Sequence, residues 1–318
     1  MNSRPLRLGT RGSALATAQA ESVAELACKA TGRNVELVQI VTSGDRSTAP
    51  VAQLGVGVFV SALRDALLAG EIDLAVHSYK DLPTAPADGL TIPAIPERAD
   101  PRDVLVARDG MTLAELPFGA RIGTGAPRRV AQLLALGYGL ECVPIRGNVD
   151  TRIRKVTDGE LDAVVLAAAG LARLDRLHEA TERIDPMLML PAPAQGALAV
   201  ECRSTDTALA EELTALDDPA TRAAVTAERA LLATLEAGCS APVGALAEVS
   251  EPYLDEGLDP QDEVETEIYL RGAVIAVDGT EAVRLSDTGT PSDAQTIGRR
   301  LAAMLLDAGA DSLLGSTR

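Results

Sequence analysis

Short apolar runs alternate with longer amphipathic segments in the first quarter of the chain. The runs have the length and the Val, Leu and Ile content of buried strands, and the segments have the apolar spacing of helices. Gly70 follows the second amphipathic segment and is a typical helix end. This alternation predicts an α/β domain. The predicted strands are 6–10, 35–42 and 72–78, and the predicted helices are 14–31 and 59–70.

A second unit with the same alternation follows a proline-rich stretch, "TIPAIPERADPRDVLVAR" (91–108). Three prolines and a strand end in this stretch indicate a crossing between domains. The unit consists of strand, helix, strand, helix and strand, the last being "LDAVVLAAAG" (161–170). The stretch "MLPAPAQGALAVEC" (189–202) then predicts a return in which the parallel pattern resumes and the chain crosses back into the first domain.

The last third of the chain has a different pattern. A strongly amphipathic helix is predicted over 218–238, with Asp217 or Asp218 as its cap and Pro219 in its first turn. Three alternating segments after it predict an antiparallel sheet, and a final helix is predicted over 293–309. The acidic stretch near 250–266 is expected to be a solvated hairpin insertion without a catalytic role.

The net charge of −17 argues against non-specific binding to nucleic acid or to an anionic membrane surface. No segment approaches the roughly 18 apolar residues that a membrane helix needs. The N-terminal residues also lack the apolar run of a signal peptide. We therefore expect a cytoplasmic protein with no nucleic-acid partner and no membrane partner.

The four cysteines are far apart, and the chain has only two histidines. A zinc site and a disulfide framework are therefore not expected. Cys28, Cys142 and Cys202 lie in helix-like or strand-like runs and are expected to be buried as small apolar residues. Cys239 differs because it lies in the Gly/Ser/Pro turn "AGCSAP". It could be a buried spacer, a redox or metal residue, or a point of covalent attachment.

Several arginines follow predicted strands or begin predicted helices in the first two units. Ligands of open α/β sheets bind beyond the carboxyl ends of the strands, where Arg side chains and helix N-termini favour anions. The set therefore predicts a site for a polyanion, although each member could instead pair with a surface carboxylate. The residues are Arg11, Arg128, Arg129, Arg146, Arg152 and Arg173.

Lys80 and Asp81 come directly after the predicted strand that ends in "AVHS". A carboxylate at that position can accept an N–H hydrogen bond and stabilise positive charge in a transition state. A simple Lys–Asp pair at a surface turn and a Schiff base on Lys80 are the alternatives. Neither "GTRGS" nor "GTGAP" is long enough to be a dinucleotide-binding loop.

Taken together, these motifs closely resemble the hydroxymethylbilane synthase family, also called porphobilinogen deaminases. The resemblance covers nearly the whole chain, and its specificity comes from nine motifs and from the order in which they appear. The motifs are "RLGTRGSALATAQA", "VTSGD", "AVHSYKDLPT", "ERADPRD", "IGTGAPRRVAQL", "IRGNVDTRIRK", "LAAAGLARL", "PAPAQGALAVECR" and "TAERALLATLEAGCSAPVGA".

The resemblance implies an α/β fold of three domains. Two are lobes with mixed sheets, similar to periplasmic binding proteins, and the third is a small C-terminal α+β domain with an antiparallel sheet. The implied boundaries are 1–97 with 196–216 for the first lobe, 98–195 for the second and 217–318 for the C-terminal domain. The cleft between the lobes would hold the active site, and the protein would be a monomer.

The resemblance also implies a transferase of tetrapyrrole biosynthesis, the route to porphyrins and heme. Four porphobilinogen units would be joined head to tail, each with loss of ammonia, onto a dipyrromethane cofactor that Cys239 holds through a thioether. Hydrolysis would then release hydroxymethylbilane. Asp81 would be the catalytic carboxylate, which holds pyrrole N–H groups and stabilises the cation left by ammonia.

The remaining site residues are carried over by their position in the motifs. The implied cofactor-binding residues, besides Cys239, are Lys80, Ser78, Arg128, Arg129, Thr124, Arg146 and Gly147. The implied substrate-binding residues are Arg11, Ser13, Gln19, Arg152, Arg173 and Gln195. No metal is implied.

The chain departs from the family pattern in the stretch 43–57, the expected mobile lid. It contains no lysine, and Val56 lies near the position where relatives carry one. Gly125 and Ala126 stand where relatives often have serines, so those hydroxyl contacts are not carried over. The alternative functions are a solute-binding protein of the same two-lobed architecture, which leaves Cys239 unexplained, and a pyridoxal-phosphate enzyme using Lys80.

Overall fold

The computed structural model describes residues 4–41, 60–237, 241–250 and 266–314. Three regions named above lie outside the described residues: Cys239, the expected lid (43–57) and the acidic insertion from 251 to 265.

The described residues form nine α-helices and thirteen strands. The helices are α1 (Ala14–Thr31), α2 (Ser61–Leu68), α3 (Pro127–Ala135), α4 (Val149–Thr157), α5 (Ala168–Arg173), α6 (Thr207–Leu213), α7 (Pro219–Thr234), α8 (Ala294–Asp307) and α9 (Ala310–Leu313). The strands are β1 (Leu6–Thr10), β2 (Val35–Gln39), β3 (Leu74–Ser78), β4 (Leu90–Ala94), β5 (Asp103–Ala107), β6 (Arg121–Gly123), β7 (Glu141–Val143), β8 (Ala163–Ala167), β9 (Glu182–Arg183), β10 (Leu198–Arg203), β11 (Val243–Ser250), β12 (Glu267–Ile275) and β13 (Ala282–Gly289).

The first sheet has the strand order β2-β1-β3-β10-β4. Strands β1, β2 and β3 are parallel, whereas β10 is antiparallel to both of its neighbours. The chain therefore does return to the first sheet after the second unit. The expectation that the parallel pattern resumes there is wrong, because β10 enters the sheet from the end at which the site lies.

The second sheet repeats this arrangement with the order β7-β6-β8-β5-β9. Strands β6, β7 and β8 are parallel, and β5 is antiparallel to β8 and β9. In each sheet the antiparallel strand is the one that enters from the other sheet. Both sheets are thus mixed, which confirms the predicted fold class.

The C-terminal unit is an antiparallel sheet, β11-β12-β13, packed against α7 and α8. Asp218 caps α7 by accepting a hydrogen bond from the Thr221 backbone N–H at 2.7 Å. Gly298 allows α7 and α8 to approach closely, because a Cβ there would collide with the carbonyl of Ala227. The core between helices and sheet is aliphatic and includes Leu231, Leu270 and Leu301. The residue boundaries of the three domains stay a prediction.

Two chain segments cross between the two five-stranded sheets, at 95–102 and 190–197. They pack backbone against backbone, since a Cβ on Gly196 (φ +91°) would collide with the carbonyl of Ala99. Ala194 also has a positive φ of 62°. Its N–H donates to the carboxylate of Glu228 in α7. That carboxylate also accepts hydrogen bonds from both terminal nitrogens of Arg98.

Some local features differ from the sequence-based expectations, among them the end of β8 and the burial of Cys28 and Cys142. Strand β8 ends at Ala167, and the rest of the predicted strand "LDAVVLAAAG" forms α5, because Ala-rich sequence is compatible with either state. Burial is confirmed for Cys202, while Cys142 is half-buried and Cys28 is exposed. Helix α1 packs through Ala20, Val23 and Ala27, and the next residue turns about 100° away from that face.

Within the described ranges, no helix is both long and apolar enough to cross a membrane.

Candidate active site

Lys80 and Asp81 lie in a single 3₁₀ turn, Tyr79–Asp81, that directly follows the buried strand β3. The Tyr79 N–H donates to Ala197 at 3.0 Å, which ties the turn to the segment preceding β10. Arg229 of α7 donates to the carbonyls of Tyr79, Leu82 and Pro83, and its guanidinium lies 4.2 Å from the centre of the Tyr79 ring. The C-terminal unit therefore fixes the position of the turn.

Four of the predicted residues of the first lobe line one pocket at the ends of β1 and β3. They come from the loop after β1, from α1, from the end of β3 and from the 3₁₀ turn. Gln19 is buried and donates to the Ser78 hydroxyl at 2.9 Å. Asp81, which is exposed, lines the same pocket. The four residues are Arg11, Gln19, Ser78 and Asp81.

Arg128 and Arg129 begin α3, where Pro127 occupies the first turn. Both are buried, with exposures of 5% and 6%, and both bind the carboxylate of Asp103, which is 0% exposed. The distances are 2.8 Å from Arg128 Nη2 and 2.7 Å from Arg129 Nη2. Their other terminal nitrogens donate to the carbonyls of Leu190 and Val165. The two guanidiniums are thus held in fixed orientations.

Gln195 joins this cluster to Lys80. Its side-chain nitrogen donates to Asp103 Oδ1 and to the carbonyl of Pro101, both at 2.8 Å. Its side-chain oxygen accepts from Lys80 Nζ at 3.1 Å. A continuous chain of hydrogen bonds therefore runs from the end of β3 in the first sheet to the start of α3 beside the second.

Burial and neighbouring charges shift the pKa values of these groups. The Lys80 residue is partly exposed, but its amine is enclosed by protein, and this desolvation lowers the pKa of Lys80 to about 8. The charge of Asp81 opposes that shift, and Arg129 adds to it. Burial would raise the pKa of Asp103, but the charges of Arg128 and Arg129 outweigh burial and hold it well below its usual range.

Arg152 and Arg173 are further cations, on the helices that follow β7 and β8. Arg152 of α4 donates to the Gly147 carbonyl at 2.9 Å, and Arg173 at the end of α5 donates to the Gly196 carbonyl at 2.7 Å. Desolvation lowers the pKa of each to about 10, and for Arg152 the charges of Arg129 and nearby Arg146 contribute. In the parts of the chain that the structure describes, neither guanidinium forms an ion pair with a carboxylate.

Ser13 and Thr124 have local structural roles. The Ser13 hydroxyl caps α1 by accepting from the Ala16 N–H at 3.2 Å. Thr124 is buried between β6 and α3, and its hydroxyl accepts from the Ala126 N–H at 3.3 Å. Gly147 has a φ of +103°, which favours glycine and lets the chain turn into α4.

Asp103, on which the arginine pair converges, is not among the site residues predicted from the sequence. The available signal was a charged residue at the start of the apolar run "DVLVA", directly after the proline-rich crossing. A carboxylate in a buried strand must have a partner, so an arginine-bound role could have been suspected. Glu228 is a second such residue, fully buried within the amphipathic pattern of α7.

The site can therefore bind an elongated ligand that carries several negative groups. Buried or half-buried cations outnumber carboxylates along its length, and an exposed carboxylate, Asp81, lies at one end. Guanidiniums bind carboxylates in a bidentate manner, and they do so more strongly where water is excluded.

Two family models match the chain. The first, described as the porphobilinogen deaminase dipyromethane cofactor binding domain, matches residues 6–211, and the second, the porphobilinogen deaminase C-terminal domain, matches residues 222–307.

Curated relatives match over nearly the full length. Porphobilinogen deaminase of Nocardia farcinica is 63% identical over 98% of this chain and 88% of its own. Those of Mycobacterium tuberculosis and Mycobacterium marinum are each 58% identical, over 98% and 97% of this chain and 99% and 96% of their own.

Solved structures to which this chain is similar include a substrate-binding protein and a lipoprotein. A periplasmic substrate-binding protein of an ABC transporter from Coxiella burnetii has a TM-score of 0.43 at 15% identity, over 70% of this chain and 96% of its own. Immunogenic lipoprotein A from Vibrio vulnificus has a TM-score of 0.41 at 14% identity, over 68% and 96%.

The family models and the relatives confirm the resemblance that the nine motifs indicated, including its dipyrromethane cofactor. On this evidence, the chain belongs to the porphobilinogen deaminase family.

Proposed function

We propose that this protein joins four porphobilinogen units into the linear tetrapyrrole hydroxymethylbilane. The observation that carries the proposal is the excess of positive charge in the site. Arg128 and Arg129 share the single carboxylate of Asp103, and Arg152 and Arg173 have carbonyl partners. Buried positive charge without a counter-charge is costly, so the site is built for an anionic ligand.

The substrate and its products have the matching chemistry. Every pyrrole ring of porphobilinogen carries an acetate and a propionate, so a growing chain gains two carboxylates per ring. Arginines distributed from the end of β1 to α5 provide partners for such a series. Arg11, Ser13, Gln19, Arg152, Arg173 and Gln195 are proposed as the substrate-binding residues.

The donor set also fits a dipyrromethane cofactor, whose two rings would bring four carboxylates. We propose that Cys239 is its covalent anchor and that Ser78, Lys80, Thr124, Arg128, Arg129, Arg146 and Gly147 contact it. When bound, the cofactor supplies a primer with a free pyrrole carbon for the first condensation. The arginines of α3 orient its carboxylates and exclude water from them.

Asp81 is the proposed catalytic residue. In each condensation the C–N bond to ammonia breaks, a C–C bond forms to the next pyrrole, and a proton leaves the attacked ring carbon. Asp81 stabilises the positive charge on the porphobilinogen unit after ammonia leaves, and it holds the pyrrole N–H. Its position at the exposed end of the 3₁₀ turn leaves the carboxylate open to substrate.

The remaining expectations belong to the same proposal. The two lobes comprise residues 1–97 with 196–216 and 98–195, and residues 217–318 form the C-terminal domain. The protein acts as a monomer in the cytoplasm, without nucleic-acid or membrane partners.

The proposal is tested by the intact mass of the denatured protein before and after incubation with porphobilinogen, with a peptide map around Cys239. We expect an added mass of two deaminated porphobilinogen units on that peptide, and formation of hydroxymethylbilane. Cys239→Ser should lack this thioether, while Cys28→Ser, a change at an exposed cysteine, should retain it. A protein that gains no mass and releases no ammonia from porphobilinogen would overturn the proposal.

A further inference from the structure

The carboxylate of Asp103 is the centre of the cationic cluster. It accepts from Arg128, from two nitrogens of Arg129 and from Gln195, with distances from 2.7 to 3.2 Å. Each oxygen is used, and the side chain has no exposure to solvent. Asp103 is therefore not itself able to contact a ligand, but it decides where the ligand-binding groups point.

The position of Asp103 explains how it can serve both lobes. It is the first residue of β5, immediately after the first crossing, and β5 pairs with β8 in the second sheet. Gln195 lies on the second crossing and extends the contact to Lys80 beside the first sheet. One carboxylate thus reaches cations attached to both sheets.

Electrostatics give Asp103 a second effect. The charges of Arg128 and Arg129 hold the pKa of Asp103 well below its usual range, so it is ionised throughout the neutral range. Its charge in turn raises the pKa of Lys80, against the desolvation that lowers that pKa to about 8. Removing the charge of Asp103 therefore makes Lys80 lose its proton at a lower pH.

We propose that Asp103 is a positioning residue for the anion site: it orients Arg128 and Arg129, and through Gln195 it keeps Lys80 in place. This inference rests on the proposed function, because it assigns those cations to the carboxylates of cofactor and substrate. It adds a residue that acts through other residues and does not touch the ligand.

The test compares Asp103→Asn with Asp100→Asn. Asp100 is a matched control because it lies on the same crossing and binds one arginine, Arg102, at 2.7 Å near the surface. Both changes remove one negative charge and preserve side-chain shape. The measurements are the rate at which dipyrromethane mass appears on the protein, and kcat and KM for porphobilinogen from pH 6 to 9.5.

For Asp103→Asn we expect slower cofactor loading and a loss of about 10- to 100-fold in kcat/KM, because the arginines are misplaced. The rise in KM at alkaline pH should begin at a lower pH than in the wild type, since Lys80 must be charged to hold a carboxylate. Asp100→Asn should match the wild type in all three respects.

Asp103→Glu separates charge from position, and it remains informative if Asp103→Asn does not fold. Because the charge is retained, KM should begin to rise at the same alkaline pH as in the wild type. Because the longer side chain displaces the guanidiniums, kcat/KM should be lower than in the wild type. The inference is overturned if either Asp103 variant loads cofactor and turns over porphobilinogen like Asp100→Asn. If instead the wild type does not convert porphobilinogen, the proposed function fails.

Discussion

Glu228 connects three parts of the molecule, and its replacement by Gln should loosen all of them. The carboxylate is 0% exposed and accepts from Arg98 Nη1 at 2.7 Å and Nη2 at 3.0 Å. It also accepts from the N–H groups of Ala194 at 2.5 Å and Ala247 at 2.8 Å. These partners lie on the first crossing, the second crossing and the C-terminal sheet.

The cost of Glu228→Gln follows from these four contacts. The amide keeps one acceptor oxygen, but its NH₂ group is a donor and cannot accept hydrogen bonds from the N–H groups that face it. Arg98, whose side chain is 9% exposed, would lose its counter-charge. Breaking a buried ion pair by removing one partner costs about 3–5 kcal/mol. Because one oxygen remains, we expect the lower end, about 3 kcal/mol.

The assay is urea unfolding monitored by circular dichroism, with Glu248→Gln as the control. Glu248 also binds one arginine, Arg271, at 2.8 Å, but its side chain is 61% exposed. Exposed pairs contribute about 0–1 kcal/mol, so the control should unfold close to the wild type. The reasoning is refuted if the two variants lose the same unfolding free energy.

Three further predictions concern catalysis, pH and backbone packing. Asp81→Ala should keep the circular dichroism spectrum and unfolding midpoint of the wild type but abolish turnover of porphobilinogen; near-normal turnover would contradict its role. Burial would raise the pKa of Asp73, but hydrogen bonds and charge from Arg7 lower it to about 2. Asp73→Asn should therefore lower the unfolding free energy by on the order of 1 kcal/mol above pH 4, after allowance for solvent screening. This loss should disappear between about pH 4 and pH 2, where the wild-type carboxylate becomes protonated. A loss that is constant with pH would argue against this linkage. Gly196→Ala should lower the unfolding midpoint more than Gly32→Ala, because both have a positive φ but a Cβ meets a backbone carbonyl only at Gly196; equal midpoints would show that the crossing can relax.

Much of the fold was predictable because local signals agreed with the final structure. Helix α7 has a capping Asp218, a proline in its first turn and an apolar face, and it forms as expected. The turn at Lys80 and Asp81 was placed correctly because it directly follows a buried strand. Strand direction was not predictable at β10, since a strand pattern is the same in either direction.

The arrangement of the site depends on contacts between residues distant in sequence. Asp103 meets Arg128 and Gln195 across separations of 25 and 92 residues, and no periodicity encodes such a meeting. The individual arginines could be placed at strand ends and helix starts. Their shared buried carboxylate could not be identified without the fold, although a charged residue in an apolar run indicates a buried charge that needs a partner.

The net charge of −17 repels an anionic substrate, whereas the cations of the proposed site attract it. The surface charge repels porphobilinogen at long range, but at physiological ionic strength this repulsion is screened beyond about 8 Å. The cations of the cleft are buried or half-buried, so salt screens them less and they act at short range, where guanidiniums form directed hydrogen bonds. We therefore expect selectivity for the substrate to depend on the geometry of the proposed site and not on attraction by the whole protein. That geometry is what Asp103 and Glu228 maintain, one by orienting the arginines and the other by fixing the two crossings between the sheets.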